Sequence, residues 1–178
     1  MHLRLLALPF ILLPLAHAFA ADDHAHGSLD AHEHGVAQLN VALEEQSLEL
    51  ELHSPAMNIV GFEHAAQSAQ DKLTVEKAKQ QLQDPLVLFK IPTAAGCKTA
   101  NVDLDSPLFA ADGDHDHKHS DIEADYELTC AHPEALTVLD LSGLFTHFSA
   151  THRVQAQAVT PHGQKGAELT PDASRLEL

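Results

Sequence analysis

The feature that most constrains the fold is an alternation with period two of apolar and polar residues between Val36 and His53. A period of two is typical of a strand with one buried face, and the polar turn Glu45-Gln46-Ser47 divides the stretch into two such strands. The sequence therefore predicts a β-hairpin with one face in the core. The inward residues would be Ala37, Leu39, Val41, Leu43, Leu48, Leu50 and Leu52. The exposed residues of the second strand would be Glu49, Glu51 and His53.

Three helices are expected after the hairpin. Apolar residues recur at intervals of three and four from Ser54-Pro55 onward, which indicates a helix packed on the sheet. Thr74 is a candidate cap for a second helix, which Pro85 would end, and Pro133-Glu134 would open a third. The inner face of the first helix would consist of Ile59, Phe62, Ala66, Ala69 and Leu73. The inner face of the second helix would consist of Val75, Ala78 and Leu82. The inner face of the third helix would consist of Leu136, Leu139, Leu141, Leu144, Phe145 and Phe148.

Further strands complete the predicted fold. They are expected at residues 97–104, 122–130, 153–160, 166–170 and 175–178. The order is then strand-strand-helix-strand followed by strand-helix-strand-strand. We therefore predict an α+β class for residues 36–178: a two-lobed single domain with antiparallel sheets, packed helices and a disordered His-rich loop.

Residues 1–20 have the composition of a secretory signal peptide. The apolar run from Leu5 to Leu15 follows Arg4 and is about half as long as a membrane-spanning helix requires. It ends in the small-x-small pattern Ala18-Phe19-Ala20, so we expect cleavage between Ala20 and Ala21. No second run approaches spanning length. The mature chain is therefore predicted to be soluble and exported, most simply to a bacterial periplasm.

The net charge of the chain indicates which classes of partner it can bind. The formal net charge is −16, and removal of the signal peptide takes away one positive charge, Arg4, and changes it to −17. Nucleic acid and anionic membrane surfaces bind basic faces, so both are unlikely partners, and the balance favours cations.

The two cysteines, Cys97 and Cys130, are expected to form a disulfide. In an oxidising compartment exposed thiols do not persist in the reduced state. Two independent buried thiols are the alternative.

A run of histidines and carboxylates occupies residues 110–121, between the cysteines. Extended backbone points alternate residues to the same side, so His115, His117 and His119 can face one cation, with Asp114 and Asp116 beside them. Imidazole with carboxylate suits Zn²⁺ best among common ions, with Ni²⁺, Co²⁺ and Cu²⁺ as competitors. The run has no apolar anchor, which indicates a metal-binding disordered loop. A solvated acidic loop that merely contains histidines is the alternative.

Residues 21–35 repeat this pattern in a polar stretch that we interpret as a mobile arm. It contains two His-x-His pairs, His24 with His26 and His32 with His34, among acidic neighbours. A single such pair is common in loops, but two pairs and the later triplet together favour metal binding. The second histidine that a zinc-protease helix requires after His-Glu is absent.

Several short motifs of the mature chain match the pattern of one protein family. They are Glu33-His34-Gly35-Val36-Ala37, Ser54-Pro55-Ala56, the run from Asn58 to His64, Ala124-Asp125-Tyr126 with Cys130, and the run from Gly163 to Ala167. Together they resemble the ZrgA-type periplasmic zinc-uptake proteins of Gram-negative bacteria. The resemblance implies a periplasmic protein that captures Zn²⁺ and assists its import by an ABC-type transporter. It also adds Glu63 and His64 to His34 as candidate metal ligands.

Two other functions stay open at this point. A periplasmic metal buffer or sensor in metal detoxification would use the same ligands as an import protein. A zinc-dependent enzyme would need a three-ligand site with an open position and a nearby acid or base. Because the sequence contains no recognised catalytic motif, we expect no enzyme activity.

Overall fold

A computed structural model of the protein describes residues 33–109 and 120–178. These residues belong to one compact unit that extends from His32 to Leu178. The strands are β1 (Val36–Glu44), β2 (Ser47–Pro55), β3 (Cys97–Asp105), β4 (Asp121–Cys130), β5 (Val138–Asp140), β6 (Arg153–Thr160), β7 (Gly163–Leu169) and β8 (Arg175–Glu177). The helices are α1 (Ala56–Ile59), α2 (Ala69–Leu82), α3 (Pro85–Leu88) and α4 (Ser142–His147). The predicted signal peptide, the arm as far as His32 and loop residues 110–119 lie outside the described residues.

Six of the strands form one sheet in the order β3-β4-β2-β1-β6-β7, while β5 and β8 pair separately. The α+β single-domain class is thus confirmed. Antiparallel sheets were expected, but β1 pairs in parallel with β6, so the main sheet is mixed. This pairing places strands from both halves of the chain in the same sheet.

The predicted hairpin is confirmed, with β1 and β2 antiparallel from Gln38 opposite His53 to Glu44 opposite Ser47. All seven predicted inward residues are buried. They pack with helix residues and with Tyr126 of β4, whose ring meets Phe89 edge-on at 5.6 Å between centroids. Burial raises the pKa of Tyr126, so its hydroxyl stays neutral. The opposite face of the sheet carries the polar positions of the alternation.

The first two predicted helices have different bounds in the structure. Helix α1 ends at Ile59, Gly61 follows with a positive φ of 83°, and no helix covers residues 60–67. The cap of α2 is Ser68 and not Thr74, because Ser68 and Asp71 form a reciprocal capping box. Leu73, predicted to face the core, is 66 % exposed. The inner face predicted for the second helix, Val75, Ala78 and Leu82, is correct.

The third predicted helix is also divided. The segment that begins at Pro133 forms a short 3₁₀ turn, then β5, then α4. At the junction of β5 and α4, Asp140 accepts hydrogen bonds from the Ser142 N–H and the Ser174 hydroxyl. Desolvation opposes ionisation of Asp140, but these hydrogen bonds outweigh it and lower its pKa. The predicted apolar residues of this segment are all buried, although they lie on β5, on α4 and in the connections beside them.

The predicted disulfide is present and joins the ends of β3 and β4, where Cys97 lies opposite Cys130. It encloses the predicted His/Asp loop, since the two cysteines are 33 residues apart. Among the helices of residues 33–109 and 120–178, none is long and apolar enough to cross a membrane.

We predict that Cys97→Ser lowers the free energy of unfolding by about 2–5 kcal/mol, because the cross-link restricts the unfolded chain. Urea unfolding of the metal-free protein measures this change. Reduction of the parent protein and the variant Cys97→Ser/Cys130→Ser serve as controls and should cost the same amount. An unchanged unfolding midpoint in all three would contradict a stabilising role for the bond.

Candidate metal centre

Three chain segments meet at one corner of the sheet. His34 lies just before β1, Glu63 lies in the irregular segment after α1, and Ser120 lies just before β4. Nε2 of His34 is 2.9 Å from Oε1 of Glu63, and the Ser120 hydroxyl donates to the backbone oxygen of Glu63 at 3.0 Å. The described ends of the arm and of the His/Asp run therefore both contact Glu63.

The His34–Glu63 pair combines a shielded carboxylate with an accessible imidazole. The Glu63 side chain is 9 % exposed, whereas that of His34 is 50 % exposed. An ionised carboxylate only accepts hydrogen bonds, so Nε2 of His34 would be the donor to an ionised Glu63. The imidazole is thus the part of the pair that faces solvent.

His64 shows a related arrangement. Its ring stacks on Phe62, with 4.7 Å between centroids and an angle of 15° between the planes. Its Nδ1 is 3.0 Å from the backbone oxygen of Ala65, which can only accept a hydrogen bond. Nδ1 therefore carries the proton, and Nε2 of the neutral ring is the nitrogen suited to a metal.

A buried amide holds the start of β1 beside α1. Asn58 is 2 % exposed, accepts from the Gly35 N–H at 2.6 Å, and donates to the Val36 oxygen at 2.9 Å. Its amide group also donates to the Ser54 hydroxyl at 3.1 Å. These bonds fix the backbone that immediately follows His34.

The start of β4 is anchored to the same helix. The backbone oxygen of Ser120 accepts from the Ala56 N–H at 2.8 Å, and Ser120 is 4 % exposed. Asn58 belongs to a family motif and Ser120 to the His/Asp run, but no anchoring role was predicted for either residue. The signal for Asn58 was a lone amide in an apolar run, which is typical of a buried polar group with several partners.

The predicted ligands differ in where they lie. His34 and Glu63 are in contact, and His64 follows Glu63 in the chain. The residues outside the described ranges are His24, His26, His32, His115, His117, His119, Asp114 and Asp116. Within the described ranges, no group of three or more His, Cys, Asp or Glu residues is arranged to hold a metal ion. The candidate ligands in contact at this corner are therefore fewer than the four that a zinc site usually has.

The exposed face of the sheet carries a second concentration of charge. Asp125 on β4 lies between Glu51 on β2 and Asp103 on β3 in the strand register. Its pKa is raised, first by desolvation and then by the charges of Glu51, Glu123 and Asp103. Like charges opposite one another across strands destabilise a sheet.

His53 lies at the end of this face nearest the corner. Its Nε2 is 3.6 Å from Oδ2 of Asp121 and 3.9 Å from Oε1 of Glu123. The side chains of Glu49 and Glu51 are exposed, and that of His53 is 42 % exposed. This agrees with the expected solvated strand face.

We predict that Asn58→Ala destabilises the protein by about 2–3 kcal/mol, since it leaves the Gly35 N–H and the Val36 oxygen without their buried partner. Asn40→Ala is the matched control, because Asn40 is an exposed amide that donates to Glu51. It should change the stability by no more than about 0.5 kcal/mol. Urea unfolding of both variants measures the difference, and equal losses would contradict the anchoring role of Asn58.

We predict that Asp125→Asn is more stable than the parent at pH 7 by about 0.5 kcal/mol, the scale of a like-charge pair across strands. The raised pKa means that folding favours protonated Asp125. Stability from this group is therefore present below the unfolded-state pKa and lost as the pH rises through the folded-state pKa. The advantage of the variant should vanish below about pH 4 and shrink in salt. Unfolding curves across pH test this, with Asp172→Asn in the turn before β8 as the control.

Comparison with known proteins identifies the family. The model of the ZrgA family of zinc uptake proteins matches residues 31–178, which include every described residue. A search of curated proteins finds no match. The matched region contains the His34–Glu63 pair, Asn58 and the disulfide. The chain therefore belongs to the ZrgA family of zinc uptake proteins.

Proposed function

We propose that this protein captures Zn²⁺ in the periplasm and assists its import by an ABC-type transporter. The observation that carries the proposal is the His34–Glu63 pair, located where the arm and the His/Asp run join the folded domain. Membership of a zinc uptake family supports the choice of metal. Transport, and not catalysis, is proposed because uptake is the role of the family.

The ligand chemistry fits zinc. Zinc in proteins prefers four ligands drawn from imidazole, thiolate and carboxylate, and both cysteines here are in a disulfide. His34 and His64 would supply imidazole, and Glu63 would supply carboxylate. We propose that the remaining ligands come from the arm, through His24, His26 and His32, and from the run, through His115, His117, His119, Asp114 and Asp116.

Chain connectivity supports a shared site. His32 is two residues from His34, and His119 directly precedes Ser120, while consecutive Cα atoms are about 3.8 Å apart. A histidine from either segment therefore needs only a short length of chain to reach the corner. The net charge of −16 would also raise the local concentration of cations.

The proposed location follows from two features. Residues 1–20 are proposed to be a signal peptide cleaved between Ala20 and Ala21, which would export the chain. The Cys97–Cys130 disulfide is in keeping with an oxidising compartment outside the cytoplasm. A transporter partner would then meet the loaded protein on the periplasmic side of the inner membrane.

We predict that replacing His115, His117 and His119 with serine lowers the number of zinc ions bound per chain. The stability of the metal-free protein should change by no more than about 0.5 kcal/mol, the usual range for surface changes. Calorimetric titration at neutral pH and urea unfolding measure the two quantities. The matched control replaces three exposed histidines elsewhere, His132, His147 and His162, and should keep the full zinc count.

The same two variants test uptake in cells that lack the native protein. The control variant should restore growth on zinc-limited medium, and the loop variant should restore it less well. If the calorimetric titration finds a single tight zinc site that the loop variant retains, the His/Asp run has no role in zinc binding. If cells that lack the protein grow normally on zinc-limited medium but are sensitive to excess zinc, the protein would instead act in detoxification.

A further inference from the structure

We infer that the distal half of β3, residues 101–105, is a charge-sensitive segment of the sheet. Ionised carboxylates favour its transient detachment from β4, and protonation or salt favours its pairing. β3 lies at the edge of the six-stranded sheet, where it pairs with β4 on one side and no strand of the described residues flanks its other side. The inference concerns the metal-free protein and goes beyond the proposed function.

A bulge separates the distal half of β3 from the half that the disulfide holds. The register with β4 shifts between Thr99 and Asn101, while Cys97 is bonded to Cys130 at the start of the strand. A bulge leaves a residue unpaired and interrupts the ladder of hydrogen bonds. The two halves of β3 can therefore open separately, and the covalent bond restrains the first half alone.

The distal half carries like charges directly opposite those of β4. Asp103 lies opposite Asp125, and Asp105 lies opposite Glu123. All four residues are exposed, and like charges in this position destabilise the pairing of two strands. The ion pairs of the described residues include His53 with Glu123 at 3.9 Å, but they include neither aspartate of β3. The outward side chains therefore oppose the pairing of this half.

The surrounding face of the sheet adds to this repulsion. Its other charged groups are Lys98 of β3, Glu49, Glu51 and His53 of β2, and Asp121 and Glu127 of β4. Desolvation, and then the neighbouring carboxylates, raise the pKa of Asp125. Protonation of the carboxylates removes negative charge, and protonation of His53 adds positive charge beside Glu123. Both changes act in the same direction, so acid favours the paired state.

The contacts that hold the distal half are few. Val102 and Leu104 are partly buried against the core, and the Ser106 hydroxyl donates to the backbone oxygen of Asp121 at 2.7 Å. The chain then continues through a short 3₁₀ turn (Pro107–Phe109) into the His/Asp run. Because a few apolar contacts are opposed by several charges, a small change in charge shifts the balance at the base of that run.

Amide hydrogen exchange of the metal-free protein at pH 7, followed by NMR, tests the inference. In Asp103→Asn/Asp105→Asn, the protected amides of residues 101–105 should exchange about 2–30-fold more slowly than in the parent, the range for two like-charge pairs. Asp and Asn are both poor strand formers, so the substitution mainly reports the charge. Lys98→Gln is the matched control, since it removes a charge from the same strand opposite Thr129, and it should not slow exchange.

Salt and acid supply a readout that a purely structural effect of the substitution would not change. The difference between the double variant and the parent should disappear in about 1 M salt, where the screening length is about 3 Å. It should also shrink at about pH 4, where carboxyl groups begin to protonate. Asp103→Lys places an opposite charge beside Asp125 and should slow exchange at least as much as Asp103→Asn.

Three results would overturn the inference. They are equal exchange rates in the double variant and the parent at pH 7, a difference that salt does not reduce, and faster exchange in Asp103→Lys than in the parent. Since every measurement is made without metal, none of these results bears on zinc capture. A failure to bind zinc would likewise leave the charge-sensitive segment standing.

Discussion

The parallel pairing of β1 with β6 is the interaction on which the rest of the structure depends. It joins strands that are more than a hundred residues apart and places β1 between β2 and β6 at the middle of the sheet. The Gly35 oxygen opens this pairing by accepting from the N–H groups of His152 and Arg153, at 2.8 and 3.0 Å. His34 therefore lies at the end of a strand held on both sides, which fixes the corner where Glu63 and Ser120 also lie.

The sequence predicted most of the strands and the disulfide correctly. The alternation of β1 and β2, the strand of residues 153–160 and the Cys97–Cys130 bond were all predicted correctly. Helix bounds were less accurate, because the capping box of Ser68 and Asp71 was a stronger local signal than the apolar spacing through Leu73. The leucine-rich segment after Pro133 fits either a helix or a strand followed by a helix. Pairing with β8 selects the second arrangement.

The partners within the site were harder to predict than the residues themselves. His34 and Glu63 are 29 residues apart, and they were named from motifs and not from any expected contact. The groups that lie beside each imidazole ring depend on contacts that only the folded chain creates. Asn58 carries no chemistry of its own, yet it satisfies two backbone groups that would otherwise be buried without partners at the start of β1.

The two charged regions of the protein differ in how their charge is compensated. On the sheet face, Asp125 meets Glu51 and Asp103 across the strands, and desolvation together with this repulsion raises its pKa. At the corner, the Glu63 carboxylate has the His34 imidazole as a partner at 2.9 Å. A complete and rigid set of four ligands would hold zinc tightly and release it slowly, because dissociation rates set most affinity differences. Under the proposed function, a zinc site that takes only some of its ligands from the folded domain would release the ion faster and so could pass it on.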